Sequence, residues 1–183
     1  MLNTQLRKNF NIGSFNVGAS TLKQFIWYFT SIFFFKSRIV PFSNILVFLL
    51  RLFGAKIGRE VRIKPGIYIK YPWKLDIGDY SWLADCYLEN LDVIKIGKNC
   101  CISQQAMLIT GNHDFTRTTF DLITKPIFLE DGVWVGAGAK VSPGLTLGSH
   151  SVLSMGSVAT KNLETYSIYQ GNPAVKIKDR IIK

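Results

Sequence analysis

Only two histidines occur in this 183-residue chain, and their settings differ. His113 lies in Thr110-Gly111-Asn112-His113-Asp114-Phe115, and polar residues continue to Lys125. An imidazole in a polar loop on a rigid support can take up and return a proton near neutral pH. Asp114 follows it and could orient the ring, although the sequence does not say which way its carboxylate faces. His150, in Gly148-Ser149-His150, falls within a regular stretch and is expected at the surface. Cys86, Cys100 and Cys101 are odd in number, and two are adjacent. There is no C-x-x-C and no zinc-like Cys/His spacing, so no metal is expected. The cysteines read as small buried residues in a reducing compartment.

The loop needs a scaffold, and the spacing of aliphatic residues supplies one. Ile57, Ile63 and Ile69 are six apart, as are Ile77 and Leu83, and then Ile96, Ile102 and Leu108. Leu129, Val135, Val141, Leu147 and Leu153 form an unbroken run. Glycine often comes next, as at Gly58, Gly78, Gly97, Gly136 and Gly148. Two positions before the aliphatic residue sits a small or aliphatic one, such as Ala55, Val61, Cys100, Ala139 or Ser151. A period of six is neither helix nor ordinary strand. It marks a solenoid in which three hexapeptides make a triangular coil and successive coils stack. The ladder breaks between Ile69 and Ile77, between Leu83 and Ile96, and between Leu108 and Leu129. Such breaks are expected as surface loops. The longest contains His113.

The chain divides near Gly54, into an apolar helical extension over 1–53 and a solenoid with a C-terminal tail over 54–183. Leu22 to Phe35 and Ile45 to Phe53 are rich in aromatic and aliphatic residues, with Lys36, Arg38 and Pro41 between them. Neither reaches the ~20 apolar residues of a membrane span, so two short helices are predicted. Aromatics beside Lys and Arg suit the plane of a membrane interface, which makes residues 20–53 a candidate peripheral contact. Packing on the rest of the protein or on another subunit is the alternative. Arg7 and Lys8, the polar run from Asn9 to Ser20 and the lack of a small-residue cleavage site do not read as a signal peptide. The formal net charge of +10 fits nucleic acid, an acidic membrane face or a phosphate-rich cofactor, and does not choose among them.

The ladder, the His113 loop and Gly171-Asn172-Pro173-Ala174 together resemble the hexapeptide-repeat acetyltransferases. Phe53-Gly54-Ala55-Lys56-Ile57-Gly58, Gly111-Asn112-His113-Asp114-Phe115 and Phe120-Asp121-Leu122-Ile123-Thr124-Lys125-Pro126-Ile127 look like the branch that serves colanic-acid and exopolysaccharide biosynthesis. The resemblance implies an all-β solenoid, a left-handed parallel β-helix, which is an exception to the right-handed crossover rule. It implies a cytoplasmic homotrimer with active sites between subunits, acetyl-CoA as co-substrate and a saccharide acceptor, with no nucleic-acid partner. His113 would be the general base that takes the acceptor's proton. Asp114 would assist it, and Asp85 would help hold the acceptor. Ala137 and Met155 would line the pantetheine groove. Thr160 and Lys161 would lie near the CoA diphosphate and ribose, and Lys178 near the nucleotide phosphate. A backbone N–H would stabilise the oxyanion. Direct transfer needs no protein nucleophile.

Other readings remain. A γ-type carbonic anhydrase on the same fold needs three histidine ligands, and the chain has two. A non-catalytic basic scaffold on membranes explains the charge and the N-terminus, but not the His113 loop. An amino sugar or serine could replace the sugar hydroxyl as acceptor.

Overall fold

A computed structural model describes residues 3–6 and 10–183, so Arg7, Lys8 and Asn9 of the N-terminal run lie outside the described residues. From Lys56 onward the chain winds as a left-handed parallel β-helix with three faces. Face A stacks Lys56–Ile57, Leu75–Ile77, Ile94–Ile96, Ile127–Leu129 and Thr146–Leu147. Face B stacks Arg62–Ile63, Trp82–Leu83, Cys101–Ile102, Trp134–Val135, Val152–Leu153 and Ser167–Gly171, with Ala174–Asp179 antiparallel at its end. Face C stacks Tyr68–Ile69, Tyr87–Glu89, Met107–Ile109, Lys140–Val141 and Val158–Ala159.

The predicted ladder is the interior of this prism. On face A, Ile57 pairs in register with Ile77, Ile77 with Ile96, Ile96 with Leu129, and Leu129 with Leu147. Each aliphatic side chain therefore stacks on its equivalent one coil away. Glycine follows because neighbouring coils approach closely. A Cβ on Gly78 would lie 2.6 Å from the Gly97 carbonyl carbon, and one on Gly136 would lie 2.6 Å from the Met155 nitrogen. The corner from face A to face B is turned by a left-handed residue in each coil: Glu60, Tyr80, Asn99, Gly132, His150 and Tyr166. His150 is therefore a corner residue. Its ring packs beside Tyr166 at 4.7 Å and is half-buried rather than simply solvated.

Two details differ from the spacing. The thirteen-residue step from Leu83 hides a further rung, Leu88, reached after only five residues and fully buried on face C. The ladder also continues past Leu153 to Ala159 and Leu163, the latter bridging to Leu147. With Leu88 restored, all three breaks fall on one edge, between face C and face A.

The N-terminal segments do fold as helices, α1 (Thr21–Thr30) and α2 (Ser43–Leu52), with a π-helical turn at Ser31–Lys36. Ser20 caps α1 by accepting from the Lys23 N–H. They are not a separate appendage. Trp27, Phe35, Leu46 and Leu50 belong to the same buried cluster as the solenoid interior. The Trp27 indole donates to the Ile69 and Lys70 carbonyls, and the Ser43 hydroxyl accepts from the Ile63 N–H. The first coil has no coil below it, so its interior needs this cover.

Phe35→Ala empties a fully buried site in the cap and is expected to cost about 3–5 kcal/mol, whereas Phe33→Ala, at an exposed position, should stay within about 0.5 kcal/mol. Urea unfolding of the two variants checks the contrast.

Candidate functional site

The longest break is an antiparallel hairpin, Gly111–His113 paired with Leu122–Thr124, that leaves the third coil at the C-to-A edge. Its base is pinned by buried Thr110. That hydroxyl donates to the Glu89 carbonyl and accepts from the Asp92 N–H, while the Lys125 N–H donates to the Thr110 carbonyl. Gly111 lets the Leu91 side chain pack against the hairpin base, since a Cβ there would lie 2.5 Å from Leu91 Cδ1 and push it aside.

His113 Nδ1 lies 2.9 Å from the Phe120 carbonyl oxygen. A carbonyl only accepts, so in the neutral imidazole the proton sits on Nδ1 and the lone pair on Nε2. The ring stacks on Phe120 at 4.5 Å, and Phe10 meets it edge-on at 6.2 Å. Phe120 has a left-handed backbone, φ 53°, in a region that bulky residues rarely adopt. Sequence reasoning had no role for Phe120 or Phe10. A backbone carbonyl leaves no residue-type signal, and the pair is joined only by folding.

Asp114 does not face the imidazole. Its Oδ1 accepts from the Thr116 hydroxyl and N–H at 2.5 and 3.0 Å, and its other oxygen is 3.5 Å from Arg117. The Thr116 hydrogen bonds hold this carboxyl below the usual carboxylate range, with Arg117 adding to the effect. Asp121 is also held down, first by Thr119 and then by the Asn11 N–H and Arg117. Both carboxylates brace the loop. The N-terminal segment reinforces it: the Leu122 N–H donates to the Asn11 carbonyl and the Gln5 N–H to the Thr118 carbonyl. It then follows the same edge, where Trp73 donates to the Val17 carbonyl and the Lys74 ammonium to the Asn16 and Leu91 carbonyls.

The remaining predicted residues occupy two edges and the terminal hairpin. Thr160 and Lys161 leave face C on the C-to-A edge, as His113 does, but two coils further on, and both are exposed. Asp85, Ala137 and Met155 lie on the B-to-C edge, in the second, fourth and fifth coils. The Gly156 N–H donates to the Ala137 carbonyl, and a Cβ on Gly138 or Gly156 would meet nothing within 4 Å, so this edge is smooth and open. Met155 is 77% exposed. One side of the prism separates the two edges, roughly 15–20 Å for six residues at ~3.3 Å each. Within one chain His113 is therefore not brought to Ala137 or Met155. Asp85 carries an ion pair at 2.9 Å with Arg38 from the segment joining the helices. Lys178 is exposed in the terminal antiparallel pair, opposite Ile168.

Two further features were not foreseen. Face B exposes Trp82 and Trp134, with the Arg62 guanidinium 4.7 Å over Trp82. Between α1 and face C lies a cavity of about 490 Å³ lined by Tyr68, Tyr71, Trp73, Lys36 and Lys70. Burial lowers the Lys70 pKa, but the hydrogen bond and charge of Glu89, with Tyr68 and Tyr71, together more than offset this and the ammonium is favoured. The buried thiols are inert: burial pushes Cys86 up to about 12 and Cys100 up to about 11. No group of His, Cys, Asp and Glu suited to a metal occurs among the described residues.

No protein-family profile matches the chain. It is 43% identical over 135 residues to a candidate colanic acid biosynthesis acetyltransferase, WcaF, of Escherichia coli K12, covering 73% of this chain and 74% of that protein. It is 28% identical over 136 residues to the galactoside O-acetyltransferase of the same organism, covering 72% and 66%. In three dimensions it matches a hexapeptide-repeat acetyltransferase of Vibrio cholerae solved with acetyl coenzyme A. The TM-score is 0.80 at 21% identity, over 90% of this chain and 92% of that one.

The depressed Asp114 and Asp121 carboxyls make a prediction for acid. Their unfolded value is about 3.9, so their support of the hairpin is complete above about pH 5 and is lost as pH falls through the lower folded values. Amide exchange, corrected for intrinsic rate, should show residues 111–124 losing protection below about pH 3 while face A keeps it.

Proposed function

The chain belongs to the hexapeptide-repeat acetyltransferases, and on that premise we propose that it moves the acetyl group of acetyl-CoA to a hydroxyl of a saccharide intermediate in exopolysaccharide biosynthesis. The observation that carries the reading is the contact of His113 Nδ1 with the Phe120 carbonyl. It leaves Nε2 as a free base for an acceptor hydroxyl. His113 takes that proton as the oxygen attacks the thioester carbonyl. Collapse of the tetrahedral species breaks the C–S bond, and the imidazolium returns the proton to the sulfur of the departing CoA. General base catalysis of this kind contributes about 10²–10⁴-fold.

The proposed partner of His113 is the B-to-C edge of a second copy, in a homotrimer. The separation of His113 from Ala137 and Met155 within one chain supports this, as do the exposed Trp82 and Trp134 on the adjoining face. Acetyl-CoA would run along that edge past Ala137 and Met155. Thr160, Lys161 and Lys178 would hold its phosphates as charge-assisted donors. The aromatic cavity beside Lys70 suits a sugar ring. Asp85, paired with Arg38 on the opposite edge of face C, is proposed separately as a polar contact for the acceptor.

His113→Ala should lower acetyl transfer about 10²–10⁴-fold with CoA binding retained; near-normal turnover would remove His113 as the base. Ala137→Trp should block CoA binding. When the two variants are co-expressed, random assembly leaves roughly a quarter of shared sites intact. Recovery of about that fraction of activity supports a site between copies, and no recovery counts against it.

A further inference from the structure

We propose that the outer face of the helical cap is a docking surface for an anionic lipid bilayer. The docking does not depend on the acceptor named above. The cap uses one side, through Trp27, Phe35, Leu46 and Leu50, to close the first coil. Its other side exposes Leu22, Phe33, Phe42, Phe48 and Leu52, each between 61% and 68% exposed. Isolated exposed hydrophobes are ordinary, but this many on two short helices and the segment joining them marks an interaction face.

The charge pattern names the occupant. No Asp or Glu occurs before Glu60, while the same 59 residues carry eight Lys and Arg. Those on the cap are held at its rim. Lys23 lies over Trp73 and Lys36 over Tyr68, Arg38 reaches Asp85, and Arg51 donates to the Ile57 and Gly58 carbonyls. Two copies meeting through this face would set like charges together with no acidic side chain from either cap between them. Anionic headgroups answer the cations, and the acyl boundary takes the aromatic side chains.

The helices lie on the bilayer and do not cross it. Each has ten residues, about 15 Å at ~1.5 Å per residue, against a hydrocarbon core of ~30 Å. No helix among the described residues is long and apolar enough to cross a membrane. The His113 hairpin leaves the third coil, two coil spacings or roughly 10 Å from the capped one. If the acceptor reading holds, a saccharide carried on a membrane lipid comes within reach of that hairpin.

Vesicle flotation of the full chain tests the docking. Phosphatidylcholine vesicles containing phosphatidylglycerol should carry the protein up, phosphatidylcholine alone should bind about tenfold more weakly, and added salt should release it. The triple variant Phe33→Ser, Phe42→Ser, Phe48→Ser alters only exposed side chains. It should lose about tenfold in binding while its circular dichroism and CoA affinity stay unchanged. Wild-type protein that floats with neither vesicle overturns the proposal, as does undiminished binding by the triple variant. A smaller particle mass for the variant overturns it too, because a second copy would then be the occupant.

Discussion

Coil stacks on coil, and everything else in this protein follows from that contact. Each triangular coil is too thin to bury its own interior, so Ile77 is flanked above and below by Ile57 and Ile96. Close approach demands glycine at Gly78 and Gly136 and leaves two raw ends. The N-terminal end is closed by α1, the π-helical turn and α2. The C-terminal end is closed by the antiparallel pair Ser167–Gly171 and Ala174–Asp179, which buries Tyr169. Arg180 then reaches back to the Gly132 and His150 carbonyls at the A-to-B corner. Both caps share one buried core with the prism, through Trp27, Phe35, Leu46 and Leu50 at one end and Tyr169 at the other.

A stack of this kind has no freedom on its faces, so chemistry goes to its edges. An inserted residue on a face would break register with the coils on both sides. At an edge it adds only loop, and the cost of a longer loop grows slowly. All three breaks use the C-to-A edge, and the last becomes the His113 hairpin. There the imidazole is held by a carbonyl, a stacked Phe120 ring and a Phe10 edge, and Asp114 and Asp121 hold the loop that carries them. This division of labour explains why the carboxylate next to the histidine in sequence is not its partner in space.

The fold was legible because stacking imposes a period that survives in one sequence. Nearly every predicted rung is buried, and the glycines fall where coils touch. Leu88 was missed because its side is one residue short, which places the excess in the following loop. The site was half legible. His113 announced itself by residue type and by its place in the longest break. The Nδ1 contact with Phe120 could not be read, since every residue offers a carbonyl. Arg38 and Asp85 are 47 positions apart in sequence, and only the fold of the cap over the first coil joins them.

The net charge of +10 also changes meaning once the chain is folded. Read as a whole, it suits a cationic groove for a phosphate-rich cofactor. Yet the first 59 residues hold eight cations and no acid, and the remaining fourteen cations face twelve acids. From Lys56 onward the prism sets sixteen cations against twelve acids, while the cap holds Lys23, Lys36, Arg38 and Arg51 with no acid of its own. A groove on the prism must therefore hold phosphates by local placement, through residues such as Lys161, because the field of the whole solenoid is weak. The cap's cations are undiluted by acids of its own, and they sit at the end of the molecule that also exposes its aromatic side chains.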